Sequence, residues 1–356
     1  MPVVLLVASA VALGALAFAT VTNLVNLACL RRLGPSAAPR PGTTVTVVVP
    51  ARNEERNLWS CLQSLLEQDG VGMEVILVDD HSTDGTPAIA RRLSQRYSGL
   101  RVIRGAPLPE GWLGKHWACH QGAEAARGDL ILFTDADTFH APRSVASAAA
   151  ALQATGSDLL SALTAQDTWS LSERAVAPLV FWLVYSLFPF ALMNRSRSFP
   201  LFFGNGQFLM LRRDAYERLG GYAAIRAQVF DDMAIARRAR QMGLKTVVVD
   251  GSRLVSCRMY DGFREVVRGL GKNLFPLFRL ALPPTLARPL FVLGFCLLAL
   301  ILVSPAASVA AAVACRALGV AAPAALLPVS ACALALTFAT LAIVYRRLRF
   351  PVGMIL

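Results

Sequence analysis

Residues Pro2 to Leu30 contain no charged side chain, and this run is longer than the roughly 20 apolar residues with which a helix crosses a bilayer. A cleaved signal peptide is the alternative interpretation. Such a peptide carries its basic residues before the apolar core, whereas Arg31 and Arg32 follow the core here. The pattern therefore favours a retained N-terminal transmembrane anchor over residues 1–32.

Two further apolar stretches, Pro289 to Ala314 and Ala321 to Tyr345, lie late in the sequence and predict a transmembrane hairpin over residues 286–348. Basic residues flank all three stretches: Arg31, Arg32, Arg40, Arg279, Arg288, Arg346, Arg347 and Arg349. Because loops rich in Arg and Lys stay on the cytoplasmic side, the central region is expected to face the cytoplasm. The expected location is the cell (inner) membrane, with several spans.

The formal net charge of +12 has two interpretations, binding of nucleic acid or attraction to anionic headgroups and phosphate groups. The sequence contains no zinc-finger spacing, no RNA-binding signature and no basic low-complexity tail. We therefore expect a membrane and a phosphate-rich ligand as partners, and no nucleic acid.

A stretch rich in Pro, Ala, Ser and Gly at residues 33–44 predicts a linker, and a domain is expected over residues 45–285. The predicted strands are Val45 to Val49, Glu74 to Val78, Arg101 to Ile103 and Leu130 to Phe133. The predicted helices are Glu55 to Gln68, Pro87 to Tyr97 and His116 to Arg127. This alternation predicts an α/β fold with a mostly parallel sheet, whose ligands bind beyond the carboxyl ends of the strands.

The apolar segment 175–193 contains several aromatic residues together with Pro178 and Pro189. It is consistent with a fourth span, with a buried core helix, or with an amphipathic helix in the membrane interface. The two prolines shorten the uninterrupted helix, which favours the interfacial interpretation.

Polar residues follow the first two predicted strands, in Pro50-Ala51-Arg52-Asn53-Glu54-Glu55 and in the segment from Asp79 to Thr86. Carboxylates at these positions can accept hydrogen bonds from a nucleobase or a ribose. Ser82 or Asp84 is equally consistent with a cap for the helix that begins near Thr86. Considered alone, these segments leave both roles open.

A third polar segment, Asp135-Ala136-Asp137, directly follows the apolar strand that begins at Leu130. Two carboxylates with this spacing can hold Mg²⁺ or Mn²⁺, which prefer oxygen ligands and commonly keep substrate phosphates as partners. Such a metal would neutralise a diphosphate leaving group. An isolated Asp-x-Asp is more often part of a turn, but its place after a buried strand and downstream of the two other segments favours a metal site.

In this order and approximate spacing, the three segments resemble those of the family 2 inverting glycosyltransferases, over Val45 to about Leu280. The resemblance implies a Rossmann-like GT-A domain that binds a nucleotide-sugar, in which Pro50, Glu54 and Asp80 contact the nucleoside. Asp135 and Asp137 would hold the diphosphate through a metal. The substrate-binding candidates in these segments are Pro50, Arg52, Glu54, Asp79, Asp80 and Asp135.

The same family places its catalytic carboxylate in an acidic pair that opens a later helix, which here corresponds to Asp231-Asp232. An inverting transfer needs a base that removes the proton of the acceptor, and we assign this role to Asp232, with Asp231 as neighbour and alternate. The alternative is that both residues only favour a helix N-terminus electrostatically. Gly206, in Gly204-Asn205-Gly206-Gln207, is a candidate for close backbone approach to the substrate, or part of a plain turn.

The Gln-x-x-Arg-Trp segment of processive polysaccharide synthases is absent from the sequence. Leu108-Pro109-Glu110-Gly111-Trp112, with Gly114-Lys115, resembles instead the branch associated with hopanoid and carotenoid lipids. Lys115, Arg258 and Lys272 are candidates for binding donor phosphates or a polar acceptor group, and they are equally consistent with charges that face the lipid. The expected reaction moves a sugar from a UDP-sugar to a hydroxyl or carboxyl group of an isoprenoid-type lipid. A polyprenyl-phosphate glycosyltransferase and a membrane-tethered nucleotide-binding protein remain the alternatives.

Overall fold

The computed structural model describes residues 2–197, 200–259 and 303–347, together with isolated positions between 262 and 301. The chain divides into two compact units. One comprises Met1–Cys29, Thr168–Pro189 and Tyr260–Leu356, and the other comprises Leu30–Asp167 and Phe190–Met259. We call them the helical unit and the sheet unit.

The elements of the described residues are numbered in chain order. The helices are α1 (Pro2–Cys29), α2 (Leu58–Leu66), α3 (Thr86–Arg96), α4 (Gly114–Glu124), α5 (Ser144–Thr155), α6 (Leu171–Leu187), α7 (Phe190–Arg195), α8 (Arg213–Leu219), α9 (Asp231–Gln241), α10 (Val303–Ala317) and α11 (Leu326–Arg347). The strands are β1 (Thr44–Ala51), β2 (Gly72–Asp79), β3 (Leu100–Arg104), β4 (Leu130–Phe133), β5 (Thr138–His140), β6 (Leu159–Leu163), β7 (Ala165–Gln166), β8 (Leu209–Arg212), β9 (Thr246–Asp250) and β10 (Val255–Cys257).

The sheet unit is built on seven strands in the order β3-β2-β1-β4-β8-β6-β9. Strand β8 runs antiparallel to β4 and β6, and the remaining pairs are parallel. A small second sheet has the order β5-β10-β7. The predicted α/β fold with a mostly parallel sheet is confirmed, and the carboxyl ends of β1, β2 and β4 meet at one edge of the sheet.

Both faces of this sheet are buried, and β1 illustrates why its sequence is a nearly continuous run of valine. Val47 and Val49 pack into a core cluster with Leu62 of α2, whereas Val48 joins a cluster with Phe133 on the opposite face. Successive side chains of a strand point to opposite faces, so a strand with two covered faces needs apolar residues at every position.

The second face of the sheet is covered in part by α4, which approaches β1 unusually closely. A Cβ atom at Gly122 would lie 2.4 Å from Cγ1 of Val48, so a side chain at this position would push the helix outward. This close approach sets how near α4, the helix that carries Lys115 in its first turn, lies to the sheet.

The predicted strands and helices of the sheet unit are present with ends shifted by up to three residues, as at the end of α4 and the start of α2. Helix α2 was expected from Glu55, but it begins at Leu58. Asn53 has a left-handed backbone with φ of 59°, and residues 54–57 form turns. The N–H of Glu55 bonds to Asp84 on a neighbouring loop, which holds this segment out of the helix.

The segment 33–44, expected as a linker, packs along the sheet unit. Leu33 is buried in the core, and its N–H donates to the carbonyl of Asp250 at 2.9 Å. The N–H of Arg40 donates to Oε1 of Gln153 at 2.8 Å. Contacts with distant residues therefore order this stretch, although its composition predicts little structure.

In the helical unit, α1 contacts both α6 and α11. Asn26 Nδ2 donates to the carbonyl of Tyr185 at 2.9 Å, and Asn23 Nδ2 donates to Oγ of Ser186 at 3.0 Å. On α11, the hydroxyl of Ser330 bonds to that of Ser9 at 3.1 Å. The amide nitrogens of Asn23 and Asn26 and the hydroxyl of Ser9 in this otherwise apolar helix α1 are thus buried against partners, as polar groups away from water require.

Among the described residues, α1 from Val3 onward and α11 are long and apolar enough to cross a membrane, and α10 is shorter. The start of the predicted second span, residues 289–300, lies outside the described residues. The aromatic segment expected at 175–193 is divided: α6 continues through Pro178 and ends at Leu187, and α7 begins at Phe190. An interfacial position for α6 stays a prediction.

Candidate active site

The loops that follow β1 and β2 form one structure, because side chains of each loop bind backbone groups of the other. Asn53 Oδ1 accepts the N–H of Thr83 at 2.8 Å, and Glu55 Oε2 accepts the N–H of Gly85 at 2.7 Å. In return, Asp84 Oδ2 accepts the N–H of Glu55 at 3.1 Å. These side chains therefore shape the edge of the site, and Asp84 has the structural role that the sequence left open.

Asp79 and Asp80 lie at the end of β2, and both are buried. Asp79 Oδ1 accepts the N–H of Ser82 at 3.1 Å, while Asp80 Oδ2 lies 3.6 Å from Nη1 of Arg52. A Cβ atom at Gly114 would lie only 2.8 Å from Asp80 Oδ2. The first residue of α4 therefore rests against the Asp80 carboxylate, and a larger residue there would displace it.

A cleft of about 610 Å³ opens beside these carboxylates, within the range of small-molecule pockets. Its lining comes from the end of β2, from β3 and from the first half of α3: Asp79, His81, Ser82, Thr83, Pro87, Ala90, Arg91, Val102 and Arg104. A smaller cavity of about 280 Å³ lies at the opposite edge of the sheet, near Thr44 and Gly128. The larger cleft is the one that adjoins the predicted donor-binding residues.

Asp135 and Asp137 occupy the loop after β4, between strands β4 and β5. Lys115 Nζ lies 2.7 Å from Asp135 Oδ1. Burial raises the pKa of Asp137 to about 7, with further increases from the charges of Asp135 and Glu54. Burial likewise raises the pKa of Glu54, and Asp135 adds to it. The three carboxylates therefore lie near enough to influence one another.

Asp231 and Asp232 open α9 and are held by different partners. The hydroxyl of Tyr222 donates to Asp231 Oδ2 at 3.1 Å, and Lys115 Nζ lies 3.5 Å from the same oxygen. Burial acts to raise the pKa of Asp231, but the charges of Lys115 and His116 and the hydrogen bond from Tyr222 together outweigh it, so the pKa is lowered. Asp231 is therefore held ionised.

Asp232 accepts two backbone hydrogen bonds, from Gly206 N–H to Oδ2 at 2.8 Å and from Met233 N–H to Oδ1 at 2.7 Å. Burial nevertheless raises its pKa to about 7, and the neighbouring charge of Asp231 adds to the increase. A carboxylate with a pKa near neutrality is suited to accept and release a proton.

Lys115 and Gly206 bring the two acidic pairs to one place. The Lys115 ammonium contacts Asp135 and Asp231, which lie on segments far apart in the chain. A Cβ atom at Gly206 would lie 3.1 Å from Lys115 Nζ and 3.5 Å from Asp232 Oδ2. The backbone at Gly206 thus approaches the cluster closely. Gly206 also lies in a turn, in which the N–H of Phe208 donates to the carbonyl of Asn205 at 3.0 Å, so its role as a site residue stays a prediction.

A buried polar network supports the loop that carries Asp135 and Asp137. Thr134 Oγ1 donates to the carbonyl of Gln207 at 2.7 Å, and Thr138 Oγ1 lies 2.9 Å from Nε2 of His140. Burial lowers the pKa of His140 to about 3, so its ring is neutral at physiological pH. The network links this loop to the segment that contains Gly206, so it fixes both sides of the site.

The remaining candidates are placed less centrally. Pro50 lies in β1, paired with Val78 of β2, and Arg52 is exposed at the rim. The N–H of Arg258 donates to the carbonyl of Asp137 at 3.1 Å, which brings its backbone to the loop that carries Asp135 and Asp137. Lys272 lies outside the described residues.

Sequence reasoning did not identify Tyr222, which orients Asp231. The available signal was Gly220-Gly221-Tyr222, a short distance before the acidic pair. Both glycines have positive φ, and a Cβ atom at Gly221 would meet the ring of Tyr216 at 2.6 Å. The turn therefore depends on glycine and buries the tyrosine beside Asp231.

The residues present fit a divalent cation in part. Asp137 Oδ1 is buried and has no hydrogen-bond partner in the described part of the chain, as expected of an oxygen reserved for another ligand. Within that same part, however, no group of three His, Cys, Asp or Glu side chains is arranged to hold a metal. Asp135 and Asp137 would therefore hold a cation together with oxygens supplied by a ligand, as hard cations commonly do with phosphates.

Residues 46–220 match the family model described as glycosyl transferase family 2. The mannosyltransferase from Pyrobaculum calidifontis, solved in complex with GDP-Man and Mn²⁺, has a similar fold, with a TM-score of 0.52 and 23% identity. The alignment covers 98% of this chain and 95% of that chain. Residues 46–220 are therefore a family 2 glycosyltransferase domain with the GT-A fold.

Within this family, the chain resembles the carotenoid branch. It is 27% identical over 236 residues to 4,4'-diaponeurosporenoate glycosyltransferase of Staphylococcus haemolyticus (strain JCSC1435), covering 65% of this chain and 61% of the relative. It is 29% identical over 234 residues to the enzyme of the same name from Staphylococcus aureus (strain MRSA252), covering 65% and 60%. The chain thus aligns with about three fifths of the length of these relatives.

Proposed function

We propose that this protein transfers a sugar from a nucleotide-sugar, expected to be a UDP-sugar, to a membrane lipid of the isoprenoid type, with inversion at the anomeric carbon. One observation carries the proposal. Lys115 Nζ lies 2.7 Å from Asp135 and 3.5 Å from Asp231, so the acidic segment after β4 and the acidic start of α9 meet at one ammonium. Donor activation and proton removal need such proximity.

On the donor side, the cleft lined in part by Asp79 is the proposed nucleoside site. Asp80, which follows Asp79 and lies 3.6 Å from Arg52, and Glu54 are the further candidates for contact with the nucleoside. Asp135 and Asp137 would hold Mg²⁺ or Mn²⁺, which, when bound, supplies positive charge that neutralises the diphosphate leaving group. The mannosyltransferase of similar fold was solved with Mn²⁺. Lys115 adds a positive charge at the same place, and Arg258 and Lys272 are further candidates for the phosphates.

On the acceptor side, Asp232 is the proposed base. Its carboxylate takes the proton of the acceptor hydroxyl while that oxygen attacks the anomeric carbon, and the diphosphate leaves from the opposite face. The proton then passes from Asp232 to water. A pKa of about 7 suits this role, because the carboxylate is partly ionised at neutral pH and still basic enough to take a proton. Burial and the charge of the ionised Asp231 keep the pKa of Asp232 high.

The proposed acceptor is a membrane lipid, because α1 and α11 are long and apolar enough to span a bilayer and because the relatives are named for diaponeurosporenoate, a carotenoid. The arginines that flank the apolar stretches support a domain on the cytoplasmic side of the inner membrane, where nucleotide-sugars are made available. The protein would then be a multi-pass enzyme that meets its two substrates at the membrane surface.

A transfer assay on membrane vesicles that contain the full chain tests this proposal. Labelled UDP-hexose is added to sealed inside-out and right-side-out vesicles. The lipids are then extracted, and their masses are measured by mass spectrometry. We expect a hexose-sized mass increase only in inside-out vesicles, because UDP-sugars do not cross the bilayer. Asp232→Asn is expected to lower transfer about 10²- to 10⁴-fold, the range of general-base catalysis, while UDP binding is retained.

Each other outcome has a meaning. Normal turnover by the Asp232→Asn variant would contradict the role of Asp232 as base. A mild loss, with transfer preserved, would point to an acceptor that is already ionised, such as a carboxylate or the phosphate of a polyprenyl phosphate. Absence of any mass increase in either vesicle orientation, with all common nucleotide-sugars, would contradict the proposed function.

A further inference from the structure

The position of Lys115 bears on how a cation reaches the site. Its Nζ lies 2.7 Å from Asp135 Oδ1, a hydrogen-bonded ion pair of the strong kind. Asp135 is also one of the two proposed metal ligands. An ammonium that already occupies this oxygen competes with a divalent cation for the same negative charge.

Lys115 is not free to move aside without cost. On its other side, Nζ lies 3.5 Å from Asp231 Oδ2, and that oxygen is fixed by the hydroxyl of Tyr222. The backbone at Gly206 closes the third side, since a Cβ atom there would lie 3.1 Å from Nζ. Two carboxylates and a glycine therefore hold the ammonium beside the loop that carries Asp135 and Asp137.

The protein offers a metal few ligands of its own. Within the described residues, no three metal-ligating side chains converge. Among the oxygens of the two acidic pairs, Asp137 Oδ1 is the one that is buried without a hydrogen-bond partner there. A cation that arrives without the donor would find one buried carboxylate and one that is already paired. A cation that arrives with a diphosphate brings additional oxygens, and the diphosphate gives the ammonium a new negative partner.

We propose that Lys115 makes metal binding dependent on the nucleotide: its ammonium, held between Asp135 and Asp231, opposes the metal when the site is otherwise empty and moves to the diphosphate when the donor arrives. This inference rests on the proposed function. It makes Lys115 a specific switch between two ion pairs and not only a general positive charge in the site. The consequence is that metal and nucleotide bind cooperatively and that the cooperativity disappears with the ammonium.

The test measures Mn²⁺ binding directly, without any turnover. The purified full chain in nanodiscs is titrated with Mn²⁺, and free Mn²⁺ is followed by electron paramagnetic resonance, with and without UDP or GDP. For the wild type we expect weak binding of Mn²⁺ alone and at least about tenfold tighter binding with nucleotide, within the usual range of coupling between sites. For Lys115→Met we expect Mn²⁺ alone to bind about tenfold tighter than to the wild type, with little further effect of nucleotide.

Three variants control the measurement. Lys115→Arg keeps the positive charge and is expected to behave as the wild type does. Lys245→Met removes a lysine that directly precedes strand β9, at the far edge of the sheet, and is expected to leave Mn²⁺ binding unchanged. If the melting temperature shows that Lys115→Met is poorly folded, Lys115→Gln replaces it, because its amide can still bond to both carboxylates.

The failure of this inference is distinguishable from failure of the proposed function. If Lys115→Met and Lys115→Gln bind Mn²⁺ no tighter than the wild type, or if nucleotide tightens binding equally in all variants, the inference is wrong while the metal site stands. If Asp137→Ala leaves Mn²⁺ binding with nucleotide unchanged, the proposed metal site itself is wrong.

Discussion

The loop after β4 and the start of α9 each carry two aspartates, yet the two acidic pairs are held by different kinds of contact. Asp135 is paired with the Lys115 side chain, and Asp137 keeps a buried oxygen without a hydrogen-bond partner in the described residues. At α9, Asp232 accepts backbone N–H groups on both oxygens, and Asp231 is bound by a tyrosine and a lysine.

This difference supports a division of chemical roles between the two acidic pairs, in which one binds the metal and the other accepts a proton. A carboxylate with an unused oxygen, beside a second carboxylate, is suited to hold a cation. A carboxylate whose position is fixed by two N–H groups, but whose pKa is raised to about 7, is suited to exchange a proton. Burial raises the pKa of Asp137 and Asp232 alike, so their surroundings, and not their acidity, distinguish the two roles.

Asparagine substitutions in the two pairs provide the strongest test of this division. Asp137→Asn removes the charge of the residue with the orphaned oxygen, and we expect at least about a 10³-fold loss of transfer, because stabilisation of the diphosphate by a metal contributes several kcal/mol. Mn²⁺-supported nucleotide binding is expected to be lost as well. In Asp232→Asn the same binding measurement should give the wild-type value.

Asp214→Asn is the matched control for this experiment. Asp214 lies on α8, is 70% exposed and pairs with Arg218 one turn away, so its charge contributes little to the fold. It should leave both transfer and nucleotide binding unchanged. Equal loss of Mn²⁺-supported binding in the Asp137 and Asp232 variants would remove the proposed division between the pairs.

The pH dependence of turnover distinguishes Asp137 from Asp232, the two aspartates whose pKa is raised to about 7. When metal and donor are saturating, Asp137 is expected to bind the metal and to stay ionised. The pH dependence of kcat should then follow the ionisation of Asp232, which must be ionised to act as base. Since its pKa is about 7, kcat should fall as pH drops through 7, approaching tenfold per pH unit below pH 6. The measurement is kcat between pH 5 and pH 9; a flat profile would indicate that proton removal by Asp232 does not limit the rate.

Several of these features follow from the sequence, and others do not. The valine run of β1 predicts a strand that is covered on both faces, and Asp135-Ala136-Asp137 after β4 predicts a site at the carboxyl edge, because both arguments depend only on neighbouring residues. The antiparallel strand β8 between β4 and β6 was not predicted. Its pairing joins segments far apart in the chain, which no local pattern reports.

The contacts that define the site are also long-range. The start of α2 is delayed because Glu55 is bonded to Asp84 on another loop. The sequence proposes Lys115 as a phosphate ligand, but its position between Asp135 and Asp231 depends on how closely α4 packs on the sheet at Gly122. Residue types therefore predict which groups take part, and tertiary packing decides which of them touch.

The smallest expected effect tests how the α9 pair is oriented. Tyr222→Phe removes the hydroxyl that donates to Asp231 Oδ2 at 3.1 Å and keeps the buried ring. A hydrogen bond to a charged group contributes about 1.5–3 kcal/mol at most, and Lys115 still holds Asp231, so we expect kcat to fall only about 5- to 10-fold. KM for the donor should not change, because the donor side of the site keeps all its contacts.

Tyr216→Phe is the matched control, because Tyr216 packs in the same cluster but its hydroxyl accepts a backbone N–H, from Tyr222 at 3.1 Å, and touches no carboxylate. Both variants are expected to lower the melting temperature, since each removes one buried hydroxyl from a hydrogen bond. Only Tyr222→Phe should lower kcat beyond that shared effect. Equal losses of kcat in the two variants would mean that Tyr222 supports the fold and does not position Asp231, and Lys115 would then be the contact that positions this carboxylate.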